Sequence, residues 1–273
     1  SYMFQSGIDD HEMGITFILR GQEHSQNQDK QEILYKYFNW VYPHSVHFGR
    51  LKIGDMVLST SKIKEGIENG TYEGWDDIRV GTILALKRRG FKAEALHKII
   101  IDSGLTTSDA NISIEKLGSY NKELILEEAK RTTFLMDPIK LDVPMQEEVE
   151  VERNGGIVKL GRGMHEFFVS KAELGNEGNV IRMRDAYNVK IVKKSDLVIQ
   201  GEFSGKNPDG KKVVPWIQEM TDLELLLPNG EKEIGAIEKQ KLSVGDRLYL
   251  EKKGYCIIDS IDGKRPVAWF THE

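Results

Sequence analysis

The chain has 273 residues, 39% of them apolar and 30% charged, a composition that excludes disordered, collagen-like and disulfide-scaffold classes. At a typical ~150 residues per domain it has room for roughly two domains with cores of their own. With 38 Lys and Arg against 43 Asp and Glu the net charge is -5, so any polyanion partner must be met by a local basic face rather than a basic coat.

In chain order, residues 14–19 (Gly-Ile-Thr-Phe-Ile-Leu) read as a buried strand, and residues 30–38 as a helix with Ile33, Leu34, Tyr37 and Phe38 on a buried face. Residues 46–53 alternate as a second strand. Val57-Leu58-Ser59-Thr60-Ser61-Lys62-Ile63 follows, a hydroxyl- and lysine-rich loop at a helix start. Hydroxyls, backbone N–H groups and one cation there can hold phosphate oxygens, although Ser and Thr before a helix also serve as simple caps. A helix is predicted over 77–89 with Gly90 as its stop, another over 93–103 ending at Gly104, and a third from Ser113 through Leu124, Ile125 and Ala129 toward Phe134. This mixture reads as half of an α/β domain.

The pattern changes at Asp137-Pro138. Short β-type runs cover 180–192, 197–203, 222–227, 247–260 and 267–271, separated by Asn207-Pro208-Asp209-Gly210, Pro228-Asn229-Gly230 and Asp262-Gly263, the chemistry of tight turns. Barrels or sandwiches are expected. Residues 142–153 are acidic and read as a crossing segment into that region. One cysteine, Cys256, permits no internal disulfide and fits a reducing cytoplasm. No apolar run reaches the ~18 residues of a membrane span, and residues 1–7 lack a signal pattern, so no membrane partner is expected. His44 and His47 stand three apart, but no Cys or further His falls at zinc spacing, and no metal site is expected.

Taken with Phe48-Gly49-Arg50-Leu51-Lys52-Ile53 before it and Gly74-Trp75-Asp76-Asp77-Ile78-Arg79 after it, the loop at 57–63 resembles the KMSKS-like signature of class I aminoacyl-tRNA synthetases, in the archaeal-type glutamyl subgroup with its glutaminyl relatives. Further matches follow in order along the chain: Ile8-Asp9-Asp10-His11, Leu19-Arg20-Gly21 with His24, Asn27 and Gln31, then Lys87-Arg88-Arg89-Gly90-Phe91. Residues 181–187, Val214-Pro215-Trp216-Ile217 and Gly254-Tyr255-Cys256-Ile257-Ile258-Asp259 complete the set. The resemblance implies the second half of a Rossmann-like catalytic domain over 1–70, a helical connecting subdomain over 71–136, and two anticodon-binding β-barrels over 137–273. The first half of the catalytic domain, with the HIGH signature, is not among these residues, so the chain alone is expected to be inactive.

By the same resemblance the parent activates glutamate with ATP and Mg²⁺ and passes it to the terminal adenosine of glutamate tRNA, with glutamine tRNA left open, as a cytoplasmic monomer. Ser59, Ser61 and Lys62 are the expected catalytic residues, with Thr60 at the place of the second signature lysine. Tyr2, Ser6, Arg20 and His24 are expected to bind the amino acid. Arg20 ends an apolar strand, where a planar guanidinium suits a carboxylate far better than an amide; its alternative is an ion pair with Asp9, Asp10 or Glu23. Arg50, Leu51, Val57 and Leu58 are expected to hold the adenosine. Arg182, Arg184, Lys211, Lys212, Glu251 and Lys252 are expected to meet the anticodon loop. Met3 and Phe17 depart from the family's usual residues. The rivals are a glutaminyl-tRNA synthetase fragment and a non-catalytic tRNA-binding protein.

Overall fold

The computed structural model describes residues 2–153, 156–207, 210–263 and 265–273. The first part runs α1 (Tyr2–Glu12), β1 (Phe17–Gly21), α2 (Ser25–Tyr37), β2 (His44–Phe48), β3 (Leu51–Ile53), α3 (Thr60–Glu68), α4 (Ile83–Arg88), α5 (Ala93–Ser103), β4 (Ala110–Ile112) and α6 (Ile114–Ile125). β1 and β2 pair in parallel, as do β3 and β4. Gly104, at a φ of 66°, ends α5 as expected, and the Ser113 hydroxyl caps α6 by accepting from the Lys116 N–H at 3.2 Å.

Several expectations change. The strand expected over 46–53 is broken at Gly49, whose N–H donates to Thr106 O at 2.7 Å. A Cβ at Gly49 would stand 2.2 Å from Ser108 O, so only glycine lets the two backbones approach this closely. The helix expected over 77–89 shrinks to α4, because the Asp77 carboxylate accepts from the N–H groups of Glu73 and Arg79 and so wraps the preceding residues into a turn. On α2 the buried residues are Gln31 and Tyr35, whereas Ile33, Tyr37 and Phe38 of the expected buried face are exposed. The third helix stops at Ile125, where the N–H groups of Glu128 and Ala129 both turn back to Ile125 O.

From there the chain is β: β5 (Lys130–Thr132), β6 (Phe134–Met136), β7 (Pro138–Met145), β8 (Val149–Arg153), β9 (Gly156–Leu160), β10 (Gly163–Ser170), β11 (Val180–Met183), β12 (Asn188–Lys194), β13 (Val198–Phe203), β14 (Val213–Val214), β15 (Met220–Leu226), β16 (Lys232–Glu238), β17 (Arg247–Leu250), β18 (Gly254–Asp262) and β19 (Arg265–His272). Residues 142–153 are therefore not a crossing segment; they form the end of β7 and the first strand of the β8–β9 hairpin. The turn at Asn207-Pro208-Asp209-Gly210 falls partly outside the described residues. At Pro228-Asn229-Gly230, Gly230 takes the expected positive φ of 85° between β15 and β16.

Two sheets result. A seven-stranded sheet has the order β5-β17-β18-β19-β15-β16-β6. Its edge strands β5 and β6 are separated in sequence by Thr133 alone, and one residue spans at most ~3.6 Å, so the sheet is rolled until its edges nearly meet. A six-stranded sheet, β10-β7-β13-β12-β11-β14, is nested between β6 and β15 in the chain. Its far edge β14 leads into Ile217, which pairs with Phe168 of the opposite edge β10, so this sheet is barrel-like too. A division at 136/137 thus parts β5 and β6 from the sheet they edge. Each roll is filled by the alternate residues of its strands, Ile139, Leu141, Val143 and Met145 of β7 in one and Leu223 and Leu225 of β15 in the other. Phe168, Leu135, Ile217 and Ala236 join the two.

Candidate functional site

Three groups of predicted residues come together separately. The first lies where α1 and α2 cover one face of the β1–β2 pair. Gln31, fully buried, is its hub: its amide donates to Met3 O at 3.0 Å and to Ser6 Oγ at 2.8 Å, and its carbonyl oxygen accepts from Arg20 Nη1 at 2.9 Å and Tyr42 Oη at 3.1 Å. Ser6 and Arg20 are thus bridged by one amide. Arg20 Nη2 reaches Asp10 at 3.7 Å, longer than a hydrogen bond, so the ion pair weighed as the alternative role is present only as a loose contact. Tyr2 and His24 face each other with ring centroids 6.5 Å apart, both exposed. His47, the register partner of Arg20, has a buried Nε2 with no hydrogen-bond partner. Gln31 and Tyr42 were not singled out as site residues; Gln31 sits in the polar run 25–32, where nothing local marks it for burial, and its place among the residues that carry the family resemblance was the available signal.

The second group is the loop before α3. Ser59 occupies the N-cap position with extended backbone, yet its side chain makes no capping hydrogen bond, so its hydroxyl is not spent on the helix. Ser59, Ser61 and Lys62 are exposed, at the end of α3 where backbone N–H groups favour an anion. The loop is seated from below: Val57 pairs in parallel with Val80, and Gly81 N–H donates to Val57 O at 2.9 Å. Of the two residues expected to offer backbone groups to an adenine, Val57 therefore has its carbonyl engaged. Arg50 is exposed and its backbone N–H donates to Asp109 Oδ1 at 2.9 Å; Leu51 beside it opens β3 and is exposed.

The third group lines a cleft of about 1060 Å³ between the two sheets, formed by Arg131, Thr133, Glu152, Arg184, Asp185, Pro215, Trp216, Tyr249, Glu251 and Lys252. Glu251 is its centre. It pairs with Arg184 from the other sheet, accepts from Arg131 Nε at 2.9 Å and from Thr133 Oγ1 at 3.1 Å. Burial works to raise the Glu251 pKa, but Arg131, Arg184 and Thr133 together hold it below the usual carboxylate value. Lys252 Nζ stands 3.7 Å from Glu173, a second link between the sheets. Asp185 and Lys252 sit in left-handed backbone, φ 56° and 64°, at the turns that carry these groups. Arg182 points elsewhere, donating to Lys206 O at 2.7 Å, with its N–H on Lys212 O and Lys211 Nζ on Asn207 O at 3.2 Å. The six residues expected to act together thus form two neighbouring groups, and Arg131, Thr133 and Tyr249 join the cleft without having been foreseen.

Among the described residues no group of three His, Cys, Asp or Glu is arranged to hold a metal ion, and no helix is long and apolar enough to cross a membrane.

Residues 1–127, which hold the strand-ending arginine and the hydroxyl-rich loop but not the β-lined cleft, match the family of class I tRNA synthetases (E and Q), catalytic domain. Over its whole length the chain is 38% identical to the glutamate–tRNA ligase of Pyrococcus furiosus and 39% identical to that of Pyrococcus horikoshii, covering 51% of each. The glutamate–tRNA ligase of Methanocaldococcus jannaschii is 35% identical over 98% of this chain and 51% of its own length. The homologues are archaeal glutamate–tRNA ligases, and the chain corresponds to a portion of them, spanning about half their length.

Proposed function

We propose that this chain is the part of a glutamate–tRNA ligase that holds the second half of the catalytic domain (1–70), a helical connector (71–136) whose last strands β5 and β6 edge the seven-stranded sheet, and the anticodon-binding barrels (137–273). The observation that carries the reading is the whole-chain identity of 37–39% to glutamate–tRNA ligases of Pyrococcus and Thermococcus, joined with an arginine, Arg20, where a glutamate side chain would need a cation. A buried neutral amide, Gln31, holds Arg20 without neutralising it, and Asp10 offsets the charge from 3.7 Å, beyond hydrogen-bond reach, so the guanidinium keeps donors for a ligand carboxylate. A glutamine side chain would leave that charge to the loose Asp10 contact, and this disfavours the glutaminyl reading.

The loop residues fit a nucleoside triphosphate: two exposed serine hydroxyls, an exposed ammonium and a helix N-terminus form a donor set for phosphate oxygens. ATP, accompanied by Mg²⁺, supplies the phosphoanhydride whose cleavage activates the glutamate carboxylate. Lys62 offsets charge on the departing phosphates, Ser59 and Ser61 donate to their oxygens, and Arg20 orients the amino acid beside Tyr2, Ser6 and His24. In the cleft, Arg131 and Arg184 can meet base edges or phosphates, Glu251 can accept from an exocyclic amine, and Tyr249 offers a ring face.

The test is an anisotropy titration of the chain with labelled glutamate tRNA and with the same tRNA altered at the central anticodon base. A loss of ~1 to 3 kcal/mol on alteration is expected, by analogy with base readout in duplexes. Equal affinity for both would remove the anticodon assignment, and tight binding of unrelated duplex RNA would favour a non-catalytic RNA binder.

A further inference from the structure

The Lys87-Arg88-Arg89-Gly90-Phe91 motif lies in none of the three groups, yet its two arginines are the most heavily engaged cations at the junction of the helical part with the seven-stranded sheet. Arg88 grips the Asp259 carboxylate with two parallel bonds, Nε to Oδ1 at 2.7 Å and Nη2 to Oδ2 at 2.8 Å, and donates from Nη1 to Asp76 at 3.1 Å. Its guanidinium carbon lies 3.8 Å from the centre of the Trp269 ring. Arg89, buried, donates to Phe270 O at 3.2 Å and to Thr271 O at 2.8 Å, while the Thr271 hydroxyl returns a bond to Arg89 O. Burial without a carboxylate partner lowers the Arg89 pKa to about 10. Next to them a Cβ on Gly90 would press Thr271 Oγ1 and Ile257 at 3.2 and 3.3 Å.

The other end of α4 is fastened to the loop before α3. Thr82 caps α4 by accepting from Ala85 N–H at 3.0 Å, Gly81 bonds Val57 O, and Ile63 of α3 packs with Val80 and Ala85. A six-residue helix therefore spans, in roughly 9 Å, the distance from the Val57–Lys62 loop to β18 and β19. No flexible linker intervenes: Gly81 leaves no room for a side chain, a Cβ there falling 2.6 Å from Leu58 Cδ2.

We propose that Arg88 is a positioning residue for the loop: by tying the end of α4 to Asp259 and Trp269, it sets where Ser59, Ser61 and Lys62 stand relative to the seven-stranded sheet. Its consequence for the reaction rests on the ligase reading; the mechanical link does not. Arg88 is suited to the task because a bidentate, ring-stacked guanidinium fixes both distance and orientation, which a lysine ammonium cannot.

The experiment is hydrogen exchange on the 273-residue chain and on Asp259→Asn and Arg88→Lys, followed at single amides. Asp259→Asn is expected to raise exchange at Gly81 and Ile63, whose N–H groups bond Val57 O and Ser59 O, by roughly tenfold, equivalent to about 1.4 kcal/mol. Leu223 and Leu225, in the core of the same sheet, should keep their protection. Arg88→Lys keeps the charge and folds more readily, and should give a smaller rise at the same two amides. Uniform acceleration at all amides would reduce Arg88 to a general stabiliser and overturn the proposal. So would loosening confined to β18 and β19 with Gly81 and Ile63 unchanged. No substrate enters the measurement, so failure of the ligase reading shows in the tRNA titration and failure of the link shows here.

Discussion

Removing the charge of Asp77 should weaken the fold in a way that depends on pH. The carboxylate is almost fully buried in the turn before α4. It accepts from Glu73 N–H and Arg79 N–H, each at 2.9 Å, and from the Arg79 side chain at 2.8 and 2.6 Å. Burial by itself would raise its pKa, but these hydrogen bonds, with the Arg79 charge, bring it from 3.8 to about 2. A folded pKa below the unfolded one means that the stabilisation is complete above pH 3.8 and is lost as pH falls through about 2. At ~1.4 kcal/mol per unit the contribution is about 2 kcal/mol at neutral pH, somewhat less because Arg79 is partly in water. Asp77→Asn keeps the shape and removes the charge. Urea unfolding of both proteins should show a gap of about that size at neutral pH, shrinking in acid toward the cost of the mismatched amide alone. A gap that stays constant from neutral pH into acid would refute the charge-assisted account of the turn.

Other outcomes follow from the same geometry. Gln31→Leu should cost ~2 to 4 kcal/mol in urea unfolding, because it removes the acceptor of both Arg20 Nη1 and Tyr42 Oη in a half-buried setting; a loss below ~1 kcal/mol would mean that the hub is solvated. His272 is buried against Phe91 and Tyr255 and its pKa is lowered by burial, so stability should fall as pH drops below the ordinary histidine value, and His272→Gln should lack that fall; parallel profiles would exclude it. In the cleft the charges of Arg131, Arg184 and Lys252 are matched by Glu152, Asp185 and Glu251, so tRNA binding there should rest on bases more than phosphates. The slope of log K against log salt should then be shallower than about -2, and a slope near -5 or steeper would place the main contacts on the phosphate backbone.

Where one side of an element faces water and the other a core, the sequence announced it. β15, with alternating buried Leu223 and Leu225, and α5, closed by Gly104, were read directly. β7 alternates just as clearly, with Ile139, Leu141, Val143 and Met145 buried, but its charged outward residues and the acidic stretch that follows disguised it as a crossing segment. The nesting of one sheet inside the other had no local signal at all. It depends on β5 and β6 taking opposite edges of a sheet whose other strands come some eighty residues later, at 220–272, and only tertiary pairing decides that. The Asp77 turn was lost for a related reason: helical spacing of Ile78, Ile83, Leu84 and Leu86 hid a side chain that competes for backbone N–H groups.

The same logic explains why the helix read over 30–38 is present but its expected buried face is not. Parallel strands are normally covered on both faces, and an isolated pair of strands is marginal in water. Here α1 and α2 cover the face that carries Ile18 and Arg20, while Phe17 and Leu19 on the other are 53% and 51% exposed. Tyr37, the last residue of α2, and Val41 beyond it are 83% and 91% exposed. The apolar stripe expected on α2 is therefore real as a pattern but is not buried within these residues; the hydrophobic effect that would bury it needs a further surface. In the ligase reading that surface is the remainder of the catalytic domain, which would pack on Phe17 and Leu19, across the strand pair from Arg20, whose own side chain is 13% exposed. In that reading specificity and closure lie on opposite faces of the β1–β2 pair, with Arg20 and Gln31 proposed to select the charge of the amino acid and Phe17 and Leu19 proposed to seat the further surface.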